Sequence, residues 1–235
     1  PESGFVSGPW DGFYTALYQV NSLIVALDKL AASQSRNEIL GVASFFRGLI
    51  YYHLVSRYGE VPILEAPFSG DIAASTEEEG WSFVEKNFQV AIDYAPTFSD
   101  KYYVSKQAAK ALMARTKLAQ GKLTEAAKLA EEVIGDANFS LADFDQIFRG
   151  KANREEIFSF VNLLNESSVN LSASLYSRAS ANGGSYTYAP TTKVMNMFEP
   201  DDKRTAISID MQEINIPAER LPLIRSLLPA LERCI

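Results

Sequence analysis

Apolar residues recur three and four apart from the tenth position onward. Trp10, Phe13, Tyr14, Leu17, Val20, Asn21, Ile24 and Leu27 fall on one stripe, which predicts a helix with a single buried face. Asn21 lies inside that stripe and is expected to be a satisfied core amide holding a neighbouring element. Residues 1–9, punctuated by Gly4, Gly8 and Pro9, are expected to be irregular. Ser33 to Arg36 make a polar break, and a second helix is expected from about Asn37, antiparallel to the first. Here the pattern changes. Phe45, Phe46, Leu49, Ile50, Tyr52 and Leu54 cannot share a narrow stripe, so this helix is expected to be covered by neighbours on several sides. Arg47 and Arg57 interrupt it, and each needs a partner or a route to water. Gly59 then offers a left-handed cap, and Pro62 forces Val61-Pro62-Ile63 into an extended path.

Residues 65–75, with Pro67, Gly70 and Asp71, form a loop. Ser75 or Thr76 can cap the next helix, whose first turn holds Glu77, Glu78 and Glu79. Consecutive acids fan around a helix, so this run complements the helix dipole and does not converge on a cation. Trp81, Val84, Phe88, Ala91, Ile92 and Tyr94 continue the helical period until Pro96. Ser105 caps an alanine-rich helix reaching Gln120, Gly121-Lys122-Leu123 turns the chain, and Thr124–Ile134 returns. Two helices, a tight glycine turn and small residues at the crossing resemble a tetratricopeptide hairpin. After Gly135 the texture is irregular. Glu155–Val161 suggests a short strand, 162–190 is a long Ser- and Gly-rich loop, and Pro190-Thr191-Thr192 opens a short helix. The expected organisation is a helical-hairpin scaffold over 1–135 and a loop-rich part over 136–235 of the same domain. The fold class is mainly α, with tetratricopeptide-like hairpins, long irregular loops and a few short strands.

Charge narrows the partners. Of 235 residues, 29 are acidic and 22 basic, for a net charge of −7, which argues against nucleic acid, since phosphate binding needs a basic stripe. The single cysteine, Cys234, excludes an intrachain disulfide and a cysteine-based metal cluster. No uninterrupted apolar run approaches the ~20 residues that span a bilayer.

The segment from Phe45 to Ile63 carries a resemblance. Phe46-Arg47-Gly48, the pair Tyr51-Tyr52, Leu54-Val55 and Tyr58-Gly59-Glu60-Val61-Pro62 are similar to the signature helix of the SusD/RagB family, with Gly48 where alanine is usual and Glu60 where aspartate is usual. The helix from Trp10, the 139–161 segment and the Tyr188–Arg204 segment resemble the same family. The likeness covers about residues 10–210 and fades after Asp210, where Pro222 and Pro229 interrupt the helical pattern; the chain is expected to be shortened, truncated or altered near its end. The resemblance implies a non-enzymatic, lipid-anchored protein on the cell surface of a Bacteroidota outer membrane. It would bind oligosaccharides or polysaccharides for uptake by a SusC-like TonB-dependent transporter. The anchor would lie outside this chain, and no cofactor is implied.

His53, the one histidine, sits in the apolar helix and is expected to be a core group and not a base. There is no Gly-x-Ser-x-Gly and no Cys/His pair for a triad. Glu155/Glu156, Asp143/Asp145 and Asp201/Asp202 are acid pairs too close in sequence to face each other across a sugar. Asp143-x-Asp145 fails as a calcium loop, because Ile147 and Phe148 stand where a ligand and a glycine are needed. No catalytic or metal residue is therefore expected. Sugar binding asks for flat aromatics and polar edges, which the 162–190 loop supplies with Tyr176, Arg178, Asn182, Tyr186 and Tyr188. Trp10 and Trp81 fall at core spacing and are expected to be structural. The alternative is a tetratricopeptide-like interaction scaffold that binds protein and no sugar.

Overall fold

The computed structural model describes residues 4–147, 152–161, 191–199 and 201–208. The chain divides into two compact units, residues 1–161 and 162–235.

In the first unit the helices are α1 (Gly4–Leu27), α2 (Gln34–Tyr58), α3 (Glu77–Tyr94), α4 (Lys106–Ala119), α5 (Leu123–Ile134) and a short α6 (Phe144–Ile147). Each of the first four packs on the next in sequence, as stacked antiparallel hairpins do, and α4 also touches α2. The helix starts have identifiable causes. Ser33 accepts from the Arg36 amide and starts α2 at Gln34, three residues before the expected Asn37. Thr76 and Glu79 form a reciprocal capping box at α3, and Ser105 accepts from the Ala108 amide at α4. Contrary to expectation, α1 begins at Gly4 and runs through Pro9. Proline there removes the amide that would have bonded to residue 5, a loss confined to the helix's opening turns.

The second helix is the centre of the unit, covered by α1, α3 and α4. Phe45, Tyr51 and Leu54 are fully buried, with Leu17 of α1 and Val84 and Phe88 of α3 beside them. By length and hydropathy these 25 residues could cross a membrane, and just over half of that stretch is buried within the fold. Gly59 ends the helix at φ 72°, its amide donating to Val55. Where α4 and α5 cross, Ala108, Ala109, Ala114 and Ala126 are buried, which lets the two backbones approach closely. Glu85 of α3 clips their turn, accepting from Lys117 at 2.8 Å, Gln120 at 2.7 Å and Lys122 at 2.9 Å.

The strand expected over 155–161 does not form. This stretch is irregular, with bends at Glu155 and Ile157 and no ladder partner among the described residues; the Ser159 amide donates to the Lys101 carbonyl at 2.8 Å. The one β-type contact among the described residues is the isolated bridge between Val61 and Ser75. In the second unit, α7 (Thr192–Met195) and α8 (Lys203–Ser208) are single turns. Thr191 and Asp202 accept from the amides of Val194 and Arg204 at their starts.

Candidate functional site

Five side chains from three helices form a connected network, and three of them, Tyr14, Asn21 and Tyr51, hold the segment after Gly59. Arg47 of α2 is 7% exposed and lies among neutral partners. Its Nε donates to Asn87 Oδ1 at 2.6 Å and its Nη1 to Asn21 Oδ1 at 3.3 Å. The guanidinium also sits 5.3 Å from the centre of the Phe83 ring. Burial pulls its pKa down, and the more distant Glu65 opposes that shift. The guanidinium remains charged, so it depends on these oxygens and the ring. The asparagines are themselves anchored. Asn21 donates to the Leu64 carbonyl and Asn87 to the Phe83 carbonyl, both at 2.8 Å.

Two tyrosines complete the staple. Tyr14 donates to the Pro62 carbonyl at 2.9 Å, and Tyr51 donates to the same oxygen at 3.2 Å while accepting from the Leu64 amide at 2.7 Å. Burial raises both phenols, Tyr51 to about 12. Residues 62–64 are thereby fixed against α1 and α2, although proline leaves one of their backbone positions without a donor.

This rigid segment forms one side of a depression of about 290 Å³, with Trp10 and Tyr14 opposite and Phe68 and Asp71 of the following loop at its edge. A second depression of about 420 Å³ runs along α1 past the same Trp10 and Tyr14 to Tyr18 and Gln19. The shared walls follow from helical spacing, since positions 10, 14 and 18 lie four apart on one face. Tyr14 at 4.9 Å and Tyr58 edge-on at 5.0 Å hold the Trp10 indole. Tyr18 and Phe68 stay about half exposed.

Elsewhere in the two units the expected structural roles are visible. Trp81 is 8% exposed and donates to Glu77 at 3.0 Å. His53 is half-buried, stacked on Phe13 at 5.7 Å and edge-on to Tyr52 at 5.5 Å. Arg57 is exposed and lies over Phe13. Glu155 accepts from the Ala142 amide, Glu156 pairs with Lys101 and Asn153, and Asp202 pairs with Arg204. Among the described residues no group of three His, Cys, Asp or Glu side chains could hold a metal ion.

The loop residues Tyr176, Arg178, Asn182, Tyr186 and Tyr188 lie outside the described residues. The sequence reading placed Trp10 in the core, and the structure gives it two surroundings: packed against Tyr58, and lining both depressions. The signal that could have found this was Tyr18, one turn beyond Tyr14 on the same face, together with the large apolar Phe68 and Ile72 in the loop that follows the 61–64 segment.

A family model described as starch-binding associating with outer membrane matches residues 5–118, the segment that holds both the staple and the depressions. Over that segment the chain is similar to the SusD-like family. It is 25% identical over 244 residues to SusD-like protein P2 of Formosa agariphila, covering 94% of this chain and 48% of that relative. This SusD-like chain therefore spans about half the length of that protein. Solved structures agree on the fold. A laminarin-binding SusD-like protein superposes with a TM-score of 0.60 at 24% identity, over 64% of this chain and 36% of the other. A protein crystallised with xylogluco-oligosaccharide superposes with a TM-score of 0.59 at 23% identity, over 65% and 34%.

Proposed function

We propose that this SusD-like chain captures glycans at the outer-membrane surface and passes them to a SusC-like TonB-dependent transporter, making and breaking no covalent bond. The observation that carries this reading is the shared fold with proteins whose structures concern laminarin and xylogluco-oligosaccharide. The family's association with the outer membrane supports the location, and a lipid anchor outside this chain would hold it there. In this reading residues 1–135 are the rigid scaffold. Residues 136–235 supply the loop site, with Tyr176, Tyr186 and Tyr188 stacking on sugar faces and Arg178 and Asn182 meeting hydroxyl groups.

A glycan-array screen of the chain, with Tyr186→Ala beside it, tests the proposal. Binding to a glycan class, weakened in the variant by about tenfold, is the expected result. A blank array from a chain that melts cooperatively would sink glycan capture. It would favour the interaction-scaffold reading, for which the stacked hairpins are suited.

A further inference from the structure

A sugar ring has an apolar face of C–H groups and an edge of hydroxyls. Holding one takes a flat aromatic that cannot turn away, with polar groups within reach of the ring's edge. The wall of α1 has this composition. Trp10 is braced by Tyr14 and Tyr58 yet only half-buried. Its indole N–H meets no acceptor among the described residues, whereas Trp81 spends its own on Glu77. Tyr14 is fixed by its bond to Pro62. The two depressions that share these walls, about 420 and 290 Å³, are of the size that small ligands occupy. Asp11 and Gln19 stand on the helix side and Asp71 on the loop side, all exposed, their side chains without hydrogen-bonded partners among the described residues.

We infer that this wall is a sugar subsite for a neutral hexopyranose, separate from the tyrosines of the 162–190 loop. One ring stacks on Trp10, with hydroxyls donating to Asp11 and Gln19 on one side or Asp71 on the other. The charge decides the class. Two rim carboxylates, on a chain of net charge −7, repel uronic acids and sulfated sugars. This inference rests on the glycan-capture reading and adds to it a location and a ligand class.

The test uses the full chain labelled with 5-fluorotryptophan, whose two tryptophans give two fluorine signals. It is titrated with neutral glycans (laminarin, xyloglucan and starch oligosaccharides) and, separately, with polygalacturonate. The expected result is a shift of the Trp10 signal alone with a neutral glycan and none with polygalacturonate. Trp10→Ala should weaken calorimetric binding by about tenfold. Because Trp10 also braces Tyr58, the exposed double variant Asp11→Ala/Gln19→Ala serves beside it, and should weaken binding several-fold while the melting temperature stays put. Neutral-glycan binding that leaves Trp10 silent and survives both changes would overturn the subsite and leave glycan capture standing. A Trp10 response to polygalacturonate would overturn the ligand class. Binding to no glycan by the unaltered chain would overturn capture and the subsite together.

Discussion

The surroundings of His53 favour its neutral form. Burial lowers its pKa from the ordinary 6.5, and the guanidinium groups of Arg57 on its own helix and Arg115 on α4 lower it further. The sign of the pH effect follows. As pH falls below 6.5, the unfolded chain takes up a proton that the folded chain refuses, so folding stability falls. The melting temperature should therefore drop between about pH 7.5 and 5.5, above the range where ordinary carboxylates titrate. Since the chain has a single histidine, His53→Phe should flatten that drop. A wild-type melting temperature that is constant or rises over this range would refute the account. Single residues also show what could be read from the chain. That Arg47 needed a partner and Asn21 had a core role followed from polar groups on apolar stripes. That they met each other, with Asn87, did not, because the meeting depends on how three helices cross. Trp10 packs against the core as its spacing implies, and what the spacing does not reveal is that the same ring also lines both depressions.

At the scale of elements, close approach of helices rests on missing side chains. A Cβ on Gly41 of α2 would lie 2.3 Å from the Ala95 backbone nitrogen, against the end of α3. A Cβ on Gly48 would meet the Phe88 ring at 2.9 Å. Backbone at a helix terminus cannot retreat without moving the helix, whereas a ring can tilt. Gly41→Ala should therefore cost about 3 kcal/mol, while Gly48→Ala should stay within about 1 kcal/mol of the parent, overpacking being offset by helix propensity. Urea midpoints of the two variants would decide it, and equal losses would refute the distinction. The five main helices were legible because periodicity, caps and stop residues agreed, with Thr76 and Ser105 at starts and Gly59 and Pro96 at ends, whereas the starts of α1 at Gly4 and of α2 after Ser33 were not. The strand over 155–161 was not, since alternation specifies an extended backbone but not a partner, and here side chains bind that backbone to the helices.

The whole molecule raises the question of what closes the first unit. Its core runs from Leu17 to Met113, and the segment after α6 returns to it through Ile157 and Phe158. Phe158 makes ring contacts with Phe45 at 5.1 Å and Phe46 at 6.4 Å, both in the central helix. Phe160 touches Phe46 at 6.3 Å but stays 67% exposed. This segment has no ladder to hold it, so side-chain packing must do most of that work, beside the Ser159–Lys101 bond and the Glu156–Lys101 pair. The unequal burial makes the two rings a controlled pair. Phe158→Ala should lower stability by about 2–3 kcal/mol, somewhat below a fully buried phenylalanine, and Phe160→Ala by less than about 1 kcal/mol. Denaturant unfolding of both variants would measure it. Similar small losses from the two would mean that the segment merely lies on the helices. A large loss at Phe158 alone would make residues 152–161 part of the folded scaffold of the first unit.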